Sequence, residues 1–163
     1  MDVVILITSY AARTDTEHRP IGSTSATGRI EQRPLLRREE TLDETAVLVR
    51  GGADTRDKLR RHVQRTARAW SLDGWPLLGI SVFAVIGIPL DELLWQRFAN
   101  FRCVYLPTMG ELTKSGFELL PTARRPHLTV RLYEASDDEL DRLLAALGDA
   151  HPNPAYATRR ELT

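Results

Sequence analysis

The sequence predicts a mixed α/β domain of the α+β kind, with helices packed on a central mixed β-sheet. Three observations lead there. The chain has 163 residues, the size of one ordinary domain, and can bury a core without disulfides or metals. From Thr45 to Leu147 its apolar residues alternate between helical-period stripes and short strand-like runs. Capping residues, glycines and prolines punctuate those runs at the places where elements begin and end. The resulting order is β-α-β-α-β-α-β-β-α within a single domain spanning 45–148.

Ala46 to Val49 is a short buried-strand pattern ended by Arg50-Gly51-Gly52, whose glycines permit a sharp turn. Asp54 or Thr55 can cap the helix that follows, in which Leu59, Val63, Ala67 and Trp70 share a face up to Asp73-Gly74-Trp75-Pro76. Leu77 to Val85 is apolar and β-branched, the mark of a central strand covered on both faces, and Gly79 within it signals close backbone approach. Pro89 and Asp91 open a second helix with Leu90, Leu93, Leu94 and Phe98 on one face, and Phe101 to Leu106 is the next strand. Thr108 with Glu111 and Ser136 with Glu139 have capping-box spacing, and Gly116 and Gly148 are helix stops. Between these helices, Phe117–Leu120 and His127–Tyr133 are successive strands, and Leu140, Leu143, Leu144 and Leu147 form the last buried stripe. That strand pair lacks a crossover helix, so parallel and antiparallel neighbours are both expected.

The flanks read differently. Residues 1–44 are polar, with Ser, Gly and Pro and no apolar period between Ala11 and Glu44, and are expected to be disordered or loosely attached. Val3 to Ile7 is at most an edge strand there. Residues 149–163, with Pro152 and Pro154, are expected to form an irregular tail.

Composition bounds function. Lys+Arg and Asp+Glu both number 22, so no global field draws the chain toward nucleic acid or anionic lipid. Cys103 is the only cysteine, which excludes an intrachain disulfide and fits a reducing, cytoplasmic compartment. No stretch approaches the roughly 20 apolar residues of a membrane span. The N-terminal apolar run is short and preceded by Asp2, unlike a signal segment. The arginine- and alanine-rich, lysine-poor texture points to a high-GC bacterial coding sequence, and the chain resembles small actinobacterial proteins.

Several chemistries are absent. Gly51-Gly52 is not followed by the spacing of a phosphate loop, and no Gly-x-Gly-x-x-Gly opens a helix. The four histidines are scattered without a metal-ligand motif, so no metal is expected. Gly79 to Phe83 has half of a nucleophile elbow, but Phe83 stands where that sharp turn needs a small residue, which makes Ser81 a mid-strand residue. Arg125-Pro126-His127-Leu128-Thr129 resembles one His-x-Thr motif of the 2H phosphoesterases. The second motif that would complete an acid/base pair is missing, so that family is excluded. His127 itself stays a candidate general acid or base.

Arg50 ending one strand, Ser81 within a later one and Glu118 opening another resemble the arginine-serine-glutamate pattern of ADP-ribosyltransferases. The resemblance implies NAD as cofactor, Arg50 as phosphate binder, Ser81 steadying the carboxylate, and Glu118 stabilising the charge that develops on the ribose. The sequence departs from the family at Ile80 and Val82 around the serine, and at Gly116 before the glutamate. Arg124 and Arg125, beside His127, add cationic groups that could bind an anionic small molecule.

On the first helix, Lys58, Arg61, Arg65 and Arg68 lie opposite the apolar stripe and form a basic face suited to a protein partner. The functional expectation is therefore an interaction or partner module needing no cofactor, with the NAD-using transferase as alternative.

Overall fold

The computed structural model describes residues 3–6, 33–34, 39–52, 55–123 and 126–161. In chain order the elements are β1 (Val3–Leu6), β2 (Arg33–Pro34), β3 (Glu39–Leu42), β4 (Leu48–Gly51), α1 (Arg56–Ala69), β5 (Trp70–Leu72), β6 (Trp75–Pro76) and β7 (Gly79–Ala84). There follow α2 (Leu90–Leu93), which runs into a π-helical turn at Leu94–Phe98, then β8 (Cys103–Tyr105), α3 (Met109–Lys114), β9 (Glu118–Pro121), β10 (His127–Arg131), α4 (Asp137–Leu147), β11 (His151–Pro152) and α5 (Pro154–Glu161).

Six strands form the main sheet in the order β11-β8-β4-β7-β10-β9. The apolar strand β7 is central, between β4 and β10, as its covered-on-both-faces pattern predicts. Every neighbour in this sheet is antiparallel, which corrects the expectation of a mixed sheet. The helix between β4 and β7 returns the chain beside its starting strand in the opposite direction, so no right-handed parallel crossover is needed.

Alternation along β7 divides the core between the two faces. Ile80, Val82 and Ala84 face a large cluster with Leu59 and Val63 of α1, Met109 and Leu112 of α3, and Leu140, Leu143 and Leu147 of α4. On the opposite face, Phe83 packs toward Val49, Val104, Leu93, Leu94, Phe98 and Ala155, contributed by β4, β8, α2 with its π turn, and α5. Gly79 confirms the close approach expected of it, because a Cβ there would lie 2.5 Å from both Thr129 Cγ2 and the Val130 carbonyl oxygen.

Several local readings change. Trp70 leaves the helix: it caps α1 with extended backbone and starts β5. The Asp73-Gly74 pair then makes a two-residue turn with both φ values positive, 51° and 84°, the conformation whose twist suits a tight hairpin. Its Leu72 and Leu77 pack on Leu120 of β9. The tail is ordered rather than irregular through Glu161, with β11 paired to β8 and α5 behind it. Buried Asn153 explains this: its Nδ2 donates to the carbonyls of Phe98 and Phe101, both at 2.8 Å, and its Oδ1 accepts the Ala155 N–H. Pro154 thereby takes the first helical position, where its missing N–H costs nothing.

Packed structure also reaches back past Thr45. Leu42 is buried in the main core, and β3 pairs antiparallel with β1. The rest of residues 1–38, apart from β1 and β2, lies outside the described residues. Among the described residues no helix is long and apolar enough to cross a membrane.

Candidate functional site

Arg50 sits on β4, paired with Tyr105 of β8, and is only 5% exposed. Alternation puts it with Leu48 and Tyr105 on the face covered by α1, α3 and α4. Its Nη1 donates to the Ser81 carbonyl at 3.1 Å. The Ser81 side chain belongs to the opposite face, with Phe83 and Thr129, so these two residues meet through backbone and not through their functional groups.

Glu118 opens the edge strand β9 in register with Arg131, to which it is ion-paired at 2.9 Å. The Tyr133 hydroxyl donates to the same carboxylate oxygen at 3.4 Å. Strand β10 stands between Glu118 and Ser81, and the register offsets them by two residues. Standard strand spacings put their Cα atoms roughly 12 Å apart. The serine therefore does not steady the glutamate.

His127 begins β10, opposite Phe83, with its ring edge-on to that phenyl at a centroid distance of 4.9 Å. Its Nδ1 lies 2.9 Å from the Thr122 carbonyl oxygen and 2.7 Å from Thr122 Oγ1, which is itself 2.7 Å from Thr129 Oγ1. One tautomer satisfies all three groups: Nδ1–H donates to Thr122, and the Thr122 hydroxyl donates to Thr129. Thr122 and Thr129 are both buried. Burial is the main cause lowering the His127 pKa from its ordinary value. The hydrogen bond to the Thr122 backbone opposes that shift, and the Arg97 charge adds to it. A neutral imidazole at neutral pH follows. This network closes the loop between β9 and β10.

His127 and Arg131 mark the two ends of β10, about 13 Å apart at strand rise. Arg50, Glu118 and His127 thus occupy separate places and share no cleft. Arg124 and Arg125 lie outside the described residues.

The basic helix face is placed as the stripe predicts, with Lys58, Arg61, Arg65 and Arg68 all exposed on α1. What the sequence does not reveal is that α1 carries a second cationic row already neutralised by α4. Arg56 Nε donates to Asp141 at 2.9 Å and Nη1 lies 3.5 Å from Asp137; Arg60 also pairs with Asp137. Arg61, Arg65 and Arg68 have no ion pair among the described residues.

Another carboxylate, Glu139, corrects the second capping box. The Ser136 hydroxyl caps α4 as expected, but the buried Glu139 carboxylate reaches past Ser136 to accept the N–H groups of Tyr133, Glu134 and Ala135. At Thr108 and Glu111 both halves of the box are present, and those hydrogen bonds hold the Glu111 pKa below the usual carboxylate range.

Sequence reasoning missed a cleft of about 140 Å³ lined by Leu72, Trp75, Pro76, Leu77, Leu78, Arg131, Leu132 and Tyr133. Trp75 is 77% exposed and Tyr133 61%, with the Arg131 guanidinium 4.7 Å from the tyrosine ring centre. The Asp73-Gly74 turn was the available signal. A wider cleft of about 360 Å³ separates α3 from the end of α4, lined in part by Glu111, Ser115, Asp149 and His151. Among the described residues no three His, Cys, Asp or Glu side chains are grouped to hold a metal ion.

No protein-family model, curated protein or solved structure matches this chain.

Proposed function

We propose that this domain is a noncatalytic interaction module that docks an acidic protein partner through Lys58, Arg61, Arg65 and Arg68. The observation that carries this reading is the unequal use of the cations on α1. Arg56 and Arg60 are held by Asp137 and Asp141, whereas Arg61, Arg65 and Arg68 point to solvent without an ion pair among the described residues. Lys58 to Arg68 spans about 15 Å of helix, a length suited to one acidic patch. Such a row raises the association rate of a complementary surface and selects against basic ones. The balanced charge of the whole chain favours a local protein contact over the extended phosphate track of a nucleic acid. A cytoplasmic setting belongs to the same proposal and is consistent with the lone Cys103.

Affinity purification of wild type and of an Arg61→Glu/Arg65→Glu variant tests it. Wild type should retain a stoichiometric acidic protein that elevated salt releases. The variant should fold normally and lose that protein; equal recovery by both chains contradicts the reading.

The NAD-using transferase is the second reading; it rests on the Arg50, Ser81 and Glu118 pattern, of which only Arg50 and the Ser81 backbone are in contact. It requires Arg50 to leave its buried position to bind phosphates and Arg131 to release Glu118 as the catalytic carboxylate. Calorimetric titration with NAD decides: saturable binding abolished by Arg50→Met supports it, and no heat at millimolar NAD removes it.

A further inference from the structure

We infer that the cleft between Trp75 and Tyr133 is a binding site for one neutral pyranose ring, carried by a free sugar or by a glycan chain. The inference is independent of the basic face of α1. Strands β7 and β10 turn Ile80, Val82, Leu128 and Val130 toward the cluster that α1, α3 and α4 cover, so Arg131, with Glu118 and Leu120 of β9, belongs to the other face of the sheet. The β5–β6 hairpin lies on that other face. Its Leu72 packs with Leu77 on Leu120, and the hairpin register places Trp75 opposite Leu72.

Size, an aromatic platform and unspent polar groups define the ligand. The volume, about 140 Å³, is close to that of an engineered cavity of about 150 Å³ known to take benzene. One six-membered ring fits. The Trp75 indole is 77% exposed, and among the described residues no ring or cation stacks on it and its Nε1–H makes no hydrogen bond. The tight Asp73-Gly74 turn holds it beside Leu72, so a flat apolar surface is presented at small entropic cost. The polarised C–H groups on one face of a pyranose pack favourably on the negative face of such a ring.

The polar groups select a neutral polyol. Glu118 Oε2 accepts from Arg131 Nη1 at 2.9 Å and from the Tyr133 hydroxyl at 3.4 Å, and the guanidinium lies 4.7 Å from the tyrosine ring centre. Glu118 Oε1 and the Nε and Nη2 donors of Arg131 have no partner among the described residues. Charge is therefore balanced while an acceptor and two donors stand side by side. A sugar hydroxyl both donates and accepts, so two neighbouring hydroxyls match Arg131 and Glu118 together. A phosphate or carboxylate would be repelled by Glu118, an ammonium group by Arg131, and a hydrocarbon would desolvate both without replacing their bonds to water.

Titrating the full chain with the methyl glycosides of glucose, galactose, mannose and N-acetylglucosamine tests the inference by NMR, with cyclohexanol as the apolar ring for comparison. At least one glycoside should bind saturably with roughly millimolar affinity and shift the Trp75 indole N–H resonance. Trp75→Ala should abolish binding, Trp75→Phe should restore part of it, and Glu118→Ala should weaken it about tenfold, each variant keeping the amide spectrum of a folded chain. Arg61→Glu/Arg65→Glu should bind the sugar as wild type does. Tighter binding of a trisaccharide of the same sugar assigns the site to a glycan chain, and equal affinity assigns it to a free sugar. The inference is overturned if no glycoside binds at about a hundredfold that concentration. It is equally overturned if cyclohexanol binds as tightly as the glycosides, if binding survives Trp75→Ala, or if the Arg61/Arg65 variant loses it.

Discussion

Two rows of cations run along α1 and differ in what faces them. The inner row, Arg56 and Arg60, meets Asp137 and Asp141 of α4; the outer row, Arg61, Arg65 and Arg68, meets solvent. The inner pairing joins residues as much as 85 positions apart, and it is one of several contacts by which the fold satisfies its polar groups internally. Glu139 with its three backbone donors, Asn153 with its two carbonyls, and His127 with Thr122 and Thr129 are others. Against that background the outer row stands out. Cations held by the fold serve stability, and we propose that those left outside serve binding.

Removing the anchor at the start of α4, the helix that faces the inner row, should have the largest effect on stability. Glu139→Ala leaves three backbone N–H groups beneath the start of α4 without their charged acceptor, and should cost about 2–3 kcal/mol in urea unfolding. A loss too small to resolve would show that water replaces the carboxylate and that α4 is not anchored there.

Acid should act next. The His127 pKa is lowered in the folded chain, mainly by burial, from an ordinary value of 6.5. Between the lowered and the ordinary value the unfolded chain binds a proton that the folded chain refuses. The contribution of His127 is therefore complete above about pH 6.5 and declines as pH falls below it. Thermal midpoints measured across that range should show the decline in wild type and a flatter profile in His127→Gln; parallel profiles would remove His127 as its source.

Arg56→Ala should cost least, with little change in the denaturation midpoint, because both partners are substantially exposed and water screens the pair. A larger loss by chemical denaturation would mean that the inner row is a principal clamp between α1 and α4.

Much of the fold was legible where local chemistry dictates it. Thr55, Thr108 and Ser136 cap the helices that their hydroxyls announce, and the unbroken apolar run around Ile80 and Val82 belongs to the central strand. Trp70 misled because it continues the Leu59–Val63–Ala67 period, although the Asp73-Gly74 pair beyond it is a hairpin turn. Asn153-Pro154 is likewise a helix start concealed in a proline-bearing tail. Strand direction was not legible, since pairing between β4 and β7 depends on how α1 returns over the sheet. For the site, helical spacing revealed the basic face. It could not reveal that α4 neutralises Arg56 and Arg60 of α1, nor that Trp75 and Tyr133, far apart in the chain, border one cleft.

Exchanging the two rows in a single comparison tests the central claim most directly. Arg61→Ala/Arg65→Ala and Arg56→Ala/Arg60→Ala should be measured side by side for thermal midpoint and for affinity toward a Glu-rich peptide. The outer pair should lose roughly tenfold in affinity with its midpoint unchanged. The inner pair should lose midpoint and keep most of its affinity. Wild-type affinity in the outer variant, or the same response from both pairs, would contradict the account.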